Sequence, residues 1–213
     1  MEEFTTILND EIAEIVEKKS RFIANIYHVE NVEEAEEKIK STKKKYYDAK
    51  HNCIAYRVIE NGKVEKASDD GEPSGTAGSP MLNILQKNNL CNLVVVVTRY
   101  FGGILLGTGG LVRAYSDATQ MAIAKSVKVQ KVKGIEIKVE LEYSNLEIFK
   151  YYCKNKEINI VKLEYGENIM ANLEMEENIK NTFLRDIEAK ALNIKNYKIM
   201  KMKYISKFVE KSN

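Results

Sequence analysis

The chain is poor in the residues that most often announce chemistry. It has two histidines, three cysteines and two prolines in 213 residues. His28 and His51 have no partners at metal-ligand spacing and read as ordinary strand residues. Cys53, Cys91 and Cys153 lie far apart and are odd in number. That argues against both a disulfide framework and a zinc site. No stretch approaches the roughly 18–20 apolar residues of a membrane-spanning helix. The opening MEEFTTILND is acidic and has no apolar core of a signal peptide. The expectation is a reduced, soluble, cytoplasmic protein with no membrane partner. The net charge of +2 gives little support for a nucleic-acid binder. Low-complexity segments and short-period repeats are absent as well.

What is present is unevenly spread. Residues 1–130 hold both prolines and nine of the eleven glycines, with a net charge of −1. Residues 131–213 carry +3 and are rich in Lys, Asn, Ile and Tyr. This change of texture predicts a domain boundary near 127–134, giving domains 1–130 and 131–213.

The second part reads as alternating strands and amphipathic helices. VKGIEIKVELEY alternates apolar and polar residues, as a half-buried strand does. Ser144 and Glu147 have capping-box spacing, which predicts a helix starting there and running to about Asn155. EINIVKLEYG and ENIMANLEME predict two strands around a turn at Gly166. Ile179, Phe183, Leu184, Ile187 and Ala191 follow helical spacing, and KNYKIMKMKYISKF is a last strand. The order βαββαβ is the ferredoxin-like pattern. It carries no histidine, metal spacing or glycine loop, and fold alone gives no function.

In the first part, RFIANIYHV predicts a strand. NVEEAEEKIKSTKKKY predicts a helix with acids early and lysines late, as the helix dipole favours. HNCIAYRVI and KVEKAS flank Asn61–Gly62, a hairpin signal. DDGEPSGTAGSPMLNILQKNN is a loop that becomes a helix. NLVVVVT is too apolar to alternate and predicts a central strand buried on both faces. A helix is expected from about Gly110 to Lys125.

Two glycine-rich segments are the candidates for function. TRYFGGILLGTGGLVRAY, residues 98–115, places Gly102, Gly103, Gly107, Gly109 and Gly110 between a strand exit and a helix entrance. Unpaired N–H groups at a helix start attract anions, and glycine lets a backbone approach a phosphate closely. Arg99, Tyr100 and Arg113 flank these glycines, and arginine suits bidentate phosphate contacts. The competing reading is architectural: tight turns, close packing, and an Arg113–Asp117 pair four residues apart. The segment matches neither GxGxxG nor a Walker loop.

DDGEPSGTAGSP, residues 69–80, offers Asp69, Asp70 and Glu72 as candidate Mg²⁺ ligands. Ser74, Gly75, Thr76 and Gly78 follow as a candidate phosphate cradle. Acids and hydroxyls at such positions equally cap turns and helices. KKKYYDAKH, residues 43–51, interleaves lysines and tyrosines in a way that suits base stacking and phosphate contact. A helix C-terminus followed by core tyrosines is the plainer account of it. No Ser/His/Asp or Cys/His arrangement for nucleophilic catalysis emerges, and no cofactor is expected.

SDDGEPSGTAGSP followed by VVVVTRYFGGILLGTGGLVRAYSDA resembles the signature of the IMPACT/YigZ family, the UPF0029 proteins. KKSRF at 18–22 and HNCIAYR at 51–57 fit the same pattern. The resemblance covers about residues 1–128, and the remainder resembles the DUF1949-type domain of the bacterial branch. It implies an α+β protein of two domains. The first would have the fold of the second domain of ribosomal protein S-five, and the second would be ferredoxin-like. The last two domains of elongation factor G are paired in the same way. Eukaryotic relatives are translational regulators that act through a ribosome-associated activator, using segments this chain lacks.

Two functional expectations follow. The first is a non-enzymatic factor associated with RNA, the ribosome or a ribosome-associated protein. In it the glycine loops, Arg99 and Arg113 contact phosphate. The second is a small-molecule phosphate-handling enzyme, by analogy with the kinases that share the first fold. A protein-binding adaptor is a third. Sequence leaves the oligomeric state open, and likewise the isomers of the bonds before Pro73 and Pro80.

Overall fold

The computed structural model describes residues 2–208. The chain forms two compact units: Phe4–Gln130, and Lys131–Lys207 together with residues 2 and 3. Both are mixed α+β, each with a sheet.

The first unit contains β1 (Phe4–Ile7), β2 (Glu11–Glu17), β3 (Ser20–His28), α1 (Val32–Lys45), β4 (His51–Ile59), β5 (Lys63–Ser68), α2 (Gly78–Lys87), β6 (Leu93–Tyr100) and α3 (Gly107–Lys125). Its five-stranded sheet runs β2-β3-β6-β4-β5, with antiparallel neighbours throughout. The valine run therefore lies in the middle strand. Its side chains alternate between two cores, which is why the strand does not alternate in polarity. Leu93, Val95 and Val97 pack with Phe22, Met81, Leu85 and Tyr115 of the face covered by α2 and α3. Val94 and Val96 pack with Ala35, Ile39 and Tyr56 on the face covered by α1.

Local chemistry sets the ends of these elements. Asn31 caps α1, its side chain accepting from the Glu34 N–H. Asn61 and Gly62 both have positive φ and close the β4–β5 hairpin. The two strands at the N-terminus, β1 and β2, had no counterpart in the sequence reading. β1 pairs with the later strand that begins at Lys128, and Leu8 N–H donates to the Val127 carbonyl at 2.9 Å. α3 begins at Gly107, a turn earlier than expected. All described peptide bonds are trans, including those before Pro73 and Pro80.

The second unit contains most of β7 (Lys128–Leu141), then α4 (Leu146–Asn155), β8 (Asn159–Tyr165), β9 (Ile169–Glu176), α5 (Glu177–Glu188) and β10 (Ile194–Phe208). The sheet order β10-β7-β9-β8 is that of a ferredoxin-like fold. Ile135, Ile137, Val139 and Leu141 alternate with outward polar residues and pack with Phe149 and Phe183 of the helices. The expected capping box at Ser144 and Glu147 does not form. A 3-10 turn over Tyr143–Asn145 brings the chain into α4, and Asn145 is the N-cap, with no side-chain cap bond. Asn145 is already in the helical region, so the geometry for a Ser144 cap is lost. The Glu147 carboxylate takes Lys150 instead, at 2.9 Å.

Candidate functional site

The first glycine segment folds around its own acid. The Asp69 carboxylate accepts from the N–H groups of Gly75 at 2.8 Å, Ala77 at 3.0 Å and Gly78 at 2.9 Å. Burial pushes this acid up, but the three backbone donors outweigh it and hold Asp69 below its ordinary value. The start of α2 therefore does receive an anion, and that anion is the side chain of Asp69. The positive φ of Gly75 aids the wrap. Gly78 is required for close approach: a Cβ there would fall 2.6–2.9 Å from the Ser68 backbone. The Thr76 hydroxyl donates to the Pro73 carbonyl at 2.7 Å, and Ser74 is exposed.

The other two acids are also engaged. Asp70 takes Lys43 and the Asn52 N–H, both at 2.7 Å. Its carbonyl accepts from His51 Nδ1 at 2.9 Å. Glu72 is buried, and both of its oxygens meet Arg99 Nη1, at 2.7 and 3.0 Å. The Tyr115 hydroxyl donates to the same carboxylate at 2.8 Å. Among the described residues no group of three His, Cys, Asp or Glu side chains is placed to hold a metal ion. The structure thus gives each candidate Mg²⁺ ligand a protein partner.

Arg99 sits at the mouth of the central strand, as its position implied, yet it points into the unit. It is buried, with its guanidinium 5.5 Å from the Phe22 ring and 5.6 Å from Phe101. Its Nε is buried with no hydrogen-bond partner. Burial also pushes the Cys53 thiol up to about 12, and it raises the Tyr115 phenol. Arg99, Glu72 and Tyr115 join the two glycine segments, since Glu72 belongs to the first while Arg99 and Tyr115 flank the second.

The second segment is the open one. After β6, residues 101–106 project as a loop. Phe101 is 57% exposed, Ile104 44% and Leu105 82%. Gly102 is fixed by contact: a Cβ would overlap the Lys19 carbonyl, and its N–H donates to Ser20 Oγ at 3.1 Å. Gly103 and Gly107 have positive φ. Neither they nor Gly109 would bring a Cβ within 4 Å of anything. Gly110 packs on Leu106. The start of α3 has no side-chain cap and no acid in its first turn.

Arg113 is exposed, and no ion pair to Asp117 forms. Both line a cleft of about 210 Å³ with Lys18, Glu17, Ile15 and Leu106. Tyr100 reaches the other way, its hydroxyl donating to Asp48 at 2.7 Å.

Two participants escaped the sequence reading. Tyr115 follows the helical spacing of Leu111, Ala114 and Ala118 and so reads as core. Only the partner acid reveals its polar role. The Lys18–Lys19 turn carries no glycine or asparagine, so its tight hairpin left no turn signal.

The α+β architecture, the two units and the linked glycine segments define a class of protein, and the comparisons agree with it. Residues 18–123 match the model of the Impact N-terminal domain. IMPACT family member YvyE of Bacillus subtilis is 40% identical over 170 residues, 80% of this chain and 78% of that protein. IMPACT family member YigZ of Escherichia coli is 40% identical over 147 residues, covering 67% and 72%. A crystal structure of a hypothetical protein superposes with a TM-score of 0.59 at 30% identity, covering 91% of this chain and 97% of that one. The chain belongs to the IMPACT family.

Proposed function

We propose that this protein is a non-enzymatic factor of translation that docks on the ribosome through its second glycine segment. One observation carries the reading. The apolar loop at Phe101–Leu105 stands in solvent at the end of the central strand, on a base anchored by the buried Arg99–Glu72 pair. Exposed apolar side chains grouped on a rigid base mark a surface for a macromolecular partner. Arg113 and the uncapped start of α3 lie beside the loop and suit the phosphates of ribosomal RNA. The translational role of eukaryotic relatives, implied by the resemblance, agrees with this direction. The phosphate-handling enzyme is less well supported. Its cradle at Ser74–Gly78 is filled by Asp69, and its metal-ligand candidates are engaged elsewhere.

The test is co-sedimentation with ribosomes at low and high salt. Wild type is expected to sediment with ribosomes at low salt and to be released as salt rises. Leu105→Asp should abolish association without altering the melting temperature, and Arg113→Ala should weaken it. Wild type that stays in the supernatant at every salt concentration refutes the reading.

A further inference from the structure

We infer that the same end of the first unit carries a second binding surface, made by the C-terminus of α1 and the β2–β3 turn, which grips single-stranded RNA. The inference rests on the proposal of an RNA-facing end, but uses residues that the docking loop does not.

Three separated pieces of sequence converge there. Lys43, Lys44 and Lys45 end α1, and Tyr46, Tyr47, Asp48 and Lys50 follow. The Asp48 carboxylate accepts from the Tyr100 hydroxyl at 2.7 Å, joining this stretch to the end of β6. The Arg21 guanidinium lies 5.8 Å from the Tyr100 ring, adding the start of β3. The β2–β3 turn, Lys18–Lys19, closes on the other side of β6, against Gly102.

The charge is concentrated. Arg21 is paired with Glu14, and Lys43 with Asp70. Lys18, Lys19, Lys44, Lys45 and Lys50 are exposed, and no ion pair is found for any of them among the described residues. The first unit, whose formal charge is only +1, therefore gathers five lysines outside any ion pair at one end, against the two exposed carboxylates of the same stretches, Glu17 and Asp48. The helix dipole accounts for one or two lysines at the end of α1 and not for those of the turn.

The aromatics point to bases rather than to an acidic polypeptide. Tyr47 is 86% exposed. Such burial as it has does nothing to explain a large ring beyond a helix end. Tyr46 is half-buried with Lys45 Nζ 4.9 Å from its ring centroid. Lysines interleaved with exposed rings are how non-specific single-strand binders hold backbone and bases together. The turn adds a further sign. Lys18 and Lys19 have φ of +44° and +65°, where hairpins of this length ordinarily use Asn-Gly. Two lysines kept in a left-handed conformation mark a place where the side chains matter.

The experiment is fluorescence anisotropy of a labelled oligouridine of about 12 nucleotides with the whole protein, at 50 and 200 mM salt. Binding through about four phosphates should loosen about 50-fold between these concentrations. Tyr47→Ala should weaken binding about tenfold, and Tyr47→Phe, which keeps the ring, less than twofold. Lys44→Glu/Lys50→Glu should weaken it by more than tenfold, with an unchanged circular dichroism melt. Three results overturn the inference. One is no binding at 50 mM salt. Another is equal affinity for an RNA duplex together with indifference to Tyr47→Ala. The third is competition by polyglutamate as effective as by unlabelled RNA, which assigns the surface to an acidic polypeptide. Ribosome co-sedimentation separates the two proposals. If Leu105→Asp loses the ribosome while no variant affects oligonucleotide binding, the docking reading stands and this one fails. If wild type binds the oligonucleotide but no ribosome, the reverse holds.

Discussion

Arg99 and Glu72 form an ion pair inside the first unit, with Nη1 2.7 and 3.0 Å from the two carboxylate oxygens and both side chains more than 90% buried. The pair joins the two glycine-rich segments, which are separated in sequence by a helix and the central strand. Each residue reads from sequence as a ligand for something external, one for phosphate and the other for Mg²⁺. In the fold they are each other's ligand. Removing one partner leaves a buried charge uncompensated. Arg99→Ala or Glu72→Gln should therefore each cost about 3–5 kcal/mol in chemical denaturation. The apolar double variant Arg99→Met/Glu72→Leu should recover most of that loss. Additive losses in the double variant would show that the two side chains act separately.

Asp69 stabilises the turn before α2 through three backbone donors. Asp69→Ala should destabilise the protein by about 2 kcal/mol. The pH dependence has a definite sign. The folded acid titrates below its unfolded value, so its contribution is complete above about pH 4. It disappears as the pH falls through the folded value. Urea denaturation from pH 2 to pH 7 should show a shallower acid limb for Asp69→Asn than for wild type. Parallel curves would mean that the carboxylate charge contributes nothing.

The thiols should be silent in the native protein. Cys53, Cys91 and Cys153 are buried, and burial pushes Cys53 and Cys153 up to about 12. The thiolate is the reacting form. A chromogenic disulfide reagent at pH 8 should detect no fast-reacting thiol before unfolding and three after it. The same shifts act on stability in alkali. Unfolded thiols ionise near pH 9 while the folded ones keep their protons, so stability should decline above about pH 9.

Much of the architecture was legible because the informative segments are long and regular. The valine run, too apolar to alternate, reads as a central strand covered on both faces, and the structure places it there. The alternation of Ile135 to Leu141 fixed a half-buried strand. Two kinds of information were hidden. The first strands carry no such pattern: Phe4–Ile7 spans four residues, and the β2–β3 hairpin turns on two lysines with no glycine between the strands. The site was hidden for another reason. Sequence shows which groups are able to bind an anion or a cation. It does not show that Asp69 lies within reach of Gly75–Gly78, or Glu72 within reach of Arg99, because those distances are set by how the segments pack.

Gly102 and Gly109 separate the two reasons for bare backbone in the second segment. At Gly102 a Cβ would overlap the Lys19 carbonyl, and backbone is unable to yield as a flexible side chain does. Gly102→Ala should cost about 3 kcal/mol and shift the loop. At Gly109 nothing lies within 4 Å and the residue is in the first turn of α3. Gly109→Ala should therefore raise stability by about 0.5 kcal/mol, because alanine loses less backbone entropy in a helix. If α3 begins under a phosphate of ribosomal RNA, the added methyl group lies in its path. The more stable variant should then sediment less with ribosomes than wild type. A Gly109→Ala protein that gains stability and keeps full association would leave this glycine with a local role only, and would move the contact away from the start of α3 to the apolar loop before it.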